Sequence, residues 1–257
     1  METKTEINNK LYNSLGDDWY KAYDHPVALL RQEAKIKFSW INERIKQAKI
    51  QNLPLQILDV GCGGGFLSNR LAQEKYAVTG IDLSEESLEV ARKHDQTHQV
   101  QYINADAYKL PFKSASFDVV TAMDFLEHVE LPEKVVEEIS RVLKPGGIFF
   151  FHTFNRNWLS HLVIIKLVEL LVKNTPQNLH VIDLFIKPEE LTQFCRNNEM
   201  NIAEMTGIRP CFSTITLRGL LNRTVPENFA FTLTPSLKLS YLGYAIKDSV
   251  NHDIIHQ

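Results

Sequence analysis

Cysteine, leader-like segments, membrane-length apolar runs and an excess of positive charge are all scarce or missing in this chain. Only three cysteines, Cys62, Cys195 and Cys211, occur in 257 residues. They lie far apart, without metal-ligand spacing, and their odd number argues against a disulfide framework; a reducing cytoplasm fits best. Met1-Glu2-Thr3-Lys4-Thr5-Glu6 has no apolar core and no small-residue cleavage site, so a secretory signal is not expected there. No stretch has the 18 or more uncharged apolar residues of a spanning helix; the nearest, Leu159 to Val172, is interrupted by Lys166 and Glu169. Lys and Arg number 28 against 31 Asp and Glu, giving a net charge of −3, which provides no global basic field for a phosphate backbone and excludes general nucleic-acid binding. Internal repeats and low-complexity tracts are also missing.

What is present is an ordinary globular composition, 44% hydrophobic and 23% charged. It implies a single domain over 1–257, with an N-terminal helical cap at 1–50, a core at 51–155, and an insertion followed by late strands at 156–257. Apolar groups three or four apart over residues 27 to 49 predict an amphipathic cap helix. Leu55 to Val60 reads as a strand that ends in glycines before a helical Phe66 to Gln73. The alternation then repeats: strand Ala77 to Asp82 and helix Glu85 to His94, strand Val100 to Ile103, strand Phe117 to Thr121 and helix Leu131 to Val142, strand Gly147 to Phe154. Such alternation predicts an α/β, doubly wound, mostly parallel sheet with ligands at the carboxyl ends of its strands. A strongly apolar helix at 159–173, a helix at Pro188 to Asn197, and strands near 202–205 and 239–246 complete the expectation.

Asp59-Val60-Gly61-Cys62-Gly63-Gly64-Gly65 falls where the first strand meets its helix, where glycines permit a tight turn and close backbone approach to a ligand. A dinucleotide fingerprint would need glycine at position 66, which is Phe66, and a P-loop would need a Gly-Lys-Ser/Thr that the sequence lacks. Asp82 ends the next strand, placed to accept both hydroxyls of a ribose. Together these predict a nucleoside site.

Ile57 to Gly65 followed by Gly80-Ile81-Asp82 resembles motif I and the acidic loop of class I S-adenosylmethionine-dependent methyltransferases. Leu143-Lys144-Pro145-Gly146-Gly147 resembles the turn before that family's fifth strand. The resemblance implies a seven-stranded Rossmann-like sheet and S-adenosylmethionine as cofactor. It further implies a cofactor site built from Asp59, Gly61, Gly63, Gly65, Asp82, Leu83, Asp106 near the adenine amino group and Met123 beside the ring, with Arg31 reaching the cofactor carboxylate and Lys37 competing for that role. Met123 to Val129, Thr153 to Asn157 and Phe185 to Leu191 resemble the O-methyltransferases of ubiquinone biosynthesis, which act on polyprenyl catechols. That likeness implies a small lipophilic phenolic acceptor and His180 as general base.

The acceptor step needs alignment and proton removal more than acid catalysis, since the donor is a sulfonium and a phenol titrates near pH 10. Asp124, Glu127 and His128, at i, i+3 and i+4, would share one helical face and could hold Mg²⁺, Mn²⁺ or Zn²⁺. The resembling enzymes carry Glu-x-x-Glu-His there. Equally, Asp124 could cap a helix with Glu127 closing a capping box. The helix at 159–173 is more apolar than a surface helix requires, so residues 158–173, headed by Trp158, are expected either to pack on the core or to make peripheral membrane contact from the cytoplasm. The alternatives are methylation of another small lipophilic acceptor, or a catalytically silent scaffold within a biosynthetic complex.

Overall fold

The structure, a computed structural model, describes residues 9–48, 54–176 and 178–249. The leader question at the N-terminus and the boundary between cap and core therefore lie outside the described residues. A short helix α1 (Asp18–Lys21) precedes the long α2 (Val27–Gln47). The core follows as β1 (Gln56–Val60), α3 (Ser68–Gln73), β2 (Ala77–Asp82), α4 (Glu85–His94), β3 (Gln101–Asn104), β4 (Phe117–Met123), α5 (Pro132–Val142) and β5 (Leu143–Phe154). The C-terminal part adds α6 (158–171), α7 (Pro188–Asn197), β6 (Met200–Pro210), α8 (Leu217–Asn222), β7 (Phe231–Thr234) and β8 (Ser240–Lys247).

The strands form one sheet in the order β3-β2-β1-β4-β5-β8-β6-β7. β1 to β5 are parallel, and β8 runs antiparallel between β5 and β6. The sheet has eight strands rather than the expected seven, because Phe231–Thr234 pairs with Gly207 to Pro210 along the outer edge of β6. The central strands are buried on both faces, as their near-continuous apolar runs require. One face packs Leu126, Val135, Ile139 and Leu191 onto Phe149 and Phe151; the other packs Trp40, Ile41 and Ile45 of α2 and Leu71 of α3 onto Val119 and Phe150. The chain order reverses between β1 and β4, which opens a crevice above the carboxyl ends of those strands.

The expected apolar helix forms but is irregular: Trp158–Ser160 and Val168–Leu171 are α-helical, while His161–Leu167 winds in wide π turns. Asn157 starts it, its side chain accepting the backbone N–H groups of Leu159 and Ser160. The wide turns shift which side chains point inward, so α6 is not one buried stripe. Ile165 is buried against Phe154 and Phe185, whereas Leu162 and Leu170 are exposed.

Candidate active site

The glycine loop builds the floor of the crevice. Gly61 and Gly63 sit at φ +68° and +50°, conformations that L side chains rarely adopt, and a Cβ on Gly61 would lie 2.1 Å from the Phe125 ring. Asp59 stays behind the loop, fully buried, where the hydroxyls of Ser68 (2.5 Å) and Thr121 (2.7 Å) donate to it. Burial pushes its carboxyl up to about 6, against the lowering effect of those two hydroxyls. Asp82 accepts the backbone N–H of Gly63 at 2.9 Å and that of Ser84 at 2.9 Å, tying the first loop to the second. Burial raises its pKa, and the backbone amides of Ser84, Gly63 and Leu83 oppose that rise.

Above this floor lies a cavity of about 520 Å³, the size of a small-molecule site. Asp59, Gly61, Gly63, Asp82, Leu83, Asp106 and Met123 all line it. Seven of the residues expected from sequence are thus brought together. Two are not. Gly65 turns away from the cavity and lets α4 approach, since a Cβ there would meet Tyr102 Oη at 2.6 Å and Ala91 Cβ at 2.8 Å. Arg31 is also outside: its guanidinium donates to the carbonyls of Trp19 (3.0 Å) and Ala22 (2.7 Å), fastening α1 to α2. Lys37, one helical turn and a half further on, is the cation whose side chain lines the cavity. The aromatic lid was missed in the sequence: Trp19 lies over Gly63 and Gly64, stacks on Tyr12 and packs against Phe66. Its signal was the cluster Trp19-Tyr20 shortly before the cap helix.

A second, apolar chamber of about 150 Å³ adjoins the first. Its walls come from α2 (Leu29, Leu30), α6 (Val163, Ile164, Val168, Leu171) and the C-terminal strands and loops (Ile208, Val225, Phe229, Phe231). Tyr12, Leu30, Asp124 and His128 line both cavities and form the wall between them. His180 lines the chamber alone, with its ring 5.6 Å from that of His128 and 5.0 Å from Phe154. Burial lowers the pKa of His128 to about 4, and burial together with His128 lowers that of His180 to about 3, so both imidazoles are neutral at physiological pH.

Asp124, Glu127 and His128 do not share a helical face. Asp124 follows β4 with φ +54°, Phe125 is the residue before a single 3₁₀ turn, and only Leu126–His128 are helical. Neither the shared metal face nor the capping box forms, because the chain leaves the strand through a left-handed residue instead of entering a helix at Asp124. The donor set is also committed elsewhere. Lys37 Nζ lies 2.7 and 2.6 Å from the two Asp124 oxygens, and His152 Nδ1 lies 2.6 Å from Asp124 Oδ1. Burial alone would raise the Asp124 carboxyl, yet Lys37 and His152 hold it well below the usual range. Glu127 Oε2 accepts from Thr153 at 2.8 Å, and burial beside Asp124 pushes this carboxyl above its usual range. His128 Nδ1 faces Asn9 Oδ1 at 3.2 Å. These three residues do not fit a divalent cation as they stand. Among the described residues, the group whose ligand atoms lie within 4.8 Å of one another is instead Glu33, Asp124 and His152.

A sheet of this order with a glycine loop and an acid ending β2 defines a class I methyltransferase fold, and comparison with known proteins agrees. The profile described as Methyltransferase domain matches residues 58–151. Among solved structures, the chain resembles magnesium protoporphyrin IX methyltransferase from Synechocystis PCC 6803, with bound SAH (TM-score 0.62, 20% identity, 93% of this chain and 97% of that one). It also resembles a possible histamine N-methyltransferase from Thermotoga maritima (TM-score 0.60, 18% identity, 93% and 99%). Relatives named ubiquinone biosynthesis O-methyltransferase are closer in sequence. The protein of Azoarcus sp. (strain BH72) is 41% identical over 178 residues, 68% of this chain and 75% of the relative. That of Acinetobacter baumannii (strain SDF) is 31% identical over 245 residues, 93% and 94%. The chain belongs to this family of S-adenosylmethionine-dependent O-methyltransferases.

Proposed function

We propose that the protein transfers the methyl group of S-adenosylmethionine to a phenolic hydroxyl of a prenylated benzenoid in ubiquinone biosynthesis. One observation carries the reading: a glycine-floored cavity lined by the carboxylates of Asp59, Asp82 and Asp106 shares a wall made of Tyr12, Leu30, Asp124 and His128 with an apolar chamber. A sulfonium donor on one side and a greasy phenol on the other meet at that wall. The relatives' name supplies the pathway.

The donor cavity fits the cofactor by its size, by the close backbone approach at Gly61 and Gly63, and by the carboxylate of Asp82. Bound there, S-adenosylmethionine supplies an electrophilic methyl group. Asp82 holds the ribose hydroxyls, Leu83, Asp106 and Met123 flank the adenine, and Lys37 rather than Arg31 faces the methionine carboxylate. Asp59 acts through Ser68 and Thr121 by holding the loop in shape. In the chamber, the aliphatic walls take the prenyl chain and exclude water, so the phenol is presented toward the shared wall. His180, assisted by His128, accepts the phenolic proton. A depressed imidazole is a weak base, but the phenol becomes strongly acidic as its oxygen bonds to the methyl carbon, so the proton leaves during that step.

The chamber takes up Val163, Ile164, Val168 and Leu171 of α6. Other apolar side chains of α6 point outward: Trp158 is 77% exposed, Leu162 54% and Leu170 65%, and on α8 Leu217 and Leu221 are 73% and 76% exposed. α6 and α8 meet where Arg223 donates to the carbonyls of Glu169 and Val172. This rim suits peripheral membrane contact from the cytoplasmic side, delivering a long-chain acceptor into the chamber. No described helix is long and apolar enough to cross a membrane. A place in a biosynthetic complex remains a part of the proposal for the same rim.

Transfer of labelled methyl from S-adenosylmethionine to prenylated catechols of graded tail length tests the reading. Turnover should be greatest for tailed catechols and fall sharply for His180→Ala. Methylation of untailed or non-phenolic acceptors in preference would favour another small lipophilic acceptor. Cofactor binding without transfer to any of them would leave a scaffold.

A further inference from the structure

The wall between the two cavities contains a buried charge cluster in which Lys37, besides lining the donor cavity, is held by carboxylates of its own chain. Glu33 and Lys37 lie one turn apart on α2, are 5% and 2% exposed, and pair at 3.2 Å. Burying two charged side chains on one helix is costly unless each finds partners, and the partners come from the sheet below. Asp124 receives the Lys37 ammonium at both oxygens, while His152 of β5, 0% exposed, places Nδ1 2.6 Å from Asp124 Oδ1. The other ring nitrogen of His152 has no hydrogen-bond partner among the described residues and faces Glu33 Oε1 at 3.5 Å. Two carboxylates and an imidazole therefore converge around one ammonium.

The chemistry of that arrangement is the chemistry of a metal centre with a different cation in it. Ligands bound about 2.0 to 2.2 Å from one ion stand roughly 3 to 4 Å apart, and one donor atom from each of Glu33, Asp124 and His152 already lies within 4.8 Å of the others. Carboxylate oxygens with an imidazole nitrogen suit Mn²⁺ or Zn²⁺. An ammonium and a divalent ion cannot share the same carboxylate oxygens, so each excludes the other. We propose that the Lys37 ammonium is the resident cation of this wall, that it makes the protein independent of divalent ions, and that removing it converts Glu33, Asp124 and His152 into a divalent-metal site. The inference concerns binding, and it stands or falls independently of which acceptor the chamber takes.

Calorimetric titration and room-temperature Mn²⁺ electron paramagnetic resonance, with Mn²⁺ and Zn²⁺ as the probes, provide the test. The wild-type protein should show no saturable binding of either ion below millimolar concentration, and a chelator should leave its melting temperature unchanged. Lys37→Met should bind one ion per chain at least tenfold more tightly than wild type, and its melting temperature should rise with added metal. Lys37→Arg, which restores a cation, should not bind metal. The double variant Lys37→Met/His152→Ala should lose most of the gained affinity, which separates this site from adventitious surface binding. If Lys37→Met fails to fold in chelator, refolding in Zn²⁺ decides: recovery supports the proposal, and failure with and without metal overturns it. Saturable Mn²⁺ or Zn²⁺ binding by the wild type overturns it as well, as does a folded Lys37→Met that ignores both ions.

Discussion

Replacing Asp82 by alanine perturbs the donor site in two ways that can be measured apart. Its carboxylate accepts one backbone N–H at each oxygen, from Gly63 and Ser84, both at 2.9 Å. The residue also lines the cavity, and a carboxylate has acceptor capacity beyond these two amides for the hydroxyls of a ribose. Losing hydrogen bonds to a charged acceptor there should weaken cofactor binding by about 1.5 to 3 kcal/mol, or roughly 10- to 150-fold. The two amides are left on a cavity wall that water reaches, so the loss of stability should be smaller, about 1 to 2 kcal/mol, which lowers the melting temperature by roughly 2 to 8 °C. Asp82→Asn, with one good acceptor oxygen retained, should fall between alanine and wild type on both scales. Titration with S-adenosylhomocysteine gives the affinity, and melting without ligand gives the stability. A Kd for Asp82→Ala within twofold of wild type refutes the ribose role, and if the melting temperature falls all the same, Asp82 serves only to tie the two loops together.

The depressed histidines predict a pH dependence. A histidine neutral in the folded state down to pH 4 (His128) or 3 (His180) but protonated below about 6.5 when unfolded gives the unfolded chain more protons in that window, so stability should be full above pH 6.5 and fall as pH drops toward 4. His128→Phe should flatten that decline by about 1 to 3 kcal/mol in urea titrations at pH 4.5 against pH 7, and an unchanged slope would show that other groups carry it. On α6, Ile165→Ser should cost about 2 to 4 kcal/mol because the side chain is buried on Phe154 and Phe185, whereas Leu170→Ser/Leu221→Ser should melt within a degree or two of wild type and lose vesicle co-sedimentation. Equal vesicle binding by that double variant would remove the rim from the membrane reading. Gly61→Ala should abolish cofactor binding through the 2.1 Å clash with Phe125 and the strained φ, and retention of affinity within tenfold would mean that the loop can be rebuilt without it. Arg31→Met should lower stability through its two lost carbonyl contacts yet leave cofactor affinity unchanged, and a large rise in Kd would restore Arg31 to the donor site.

What the amino-acid order determined by itself is the part of the protein governed by local rules. Alternating apolar runs and amphipathic segments gave α4 and α7 their observed limits, Glu85–His94 and Pro188–Asn197, and the glycines after β1 together with Asp82 marked the donor loop. These signals are short in range, because a tight turn with positive φ needs glycine wherever it occurs and a crossover helix must show an apolar face to its sheet. The remaining features were decided only by tertiary structure. Whether Asp124 begins a helix depended on the left-handed exit from β4, which the spacing of Asp124, Glu127 and His128 could not reveal. Which cation faces the donor cavity depended on the packing of α2, which turns Arg31 onto the carbonyls of α1 and drives Lys37 down between Glu33 and Asp124. The π turns of α6 sorted one apolar run into core, chamber and exposed rim, and the edge pairing of β7 supplied the eighth strand. These outcomes rest on three-dimensional packing that neither spacing nor periodicity records; Lys37 and Asp124, separated by 87 positions, meet only because the fold lays α2 across the end of β4.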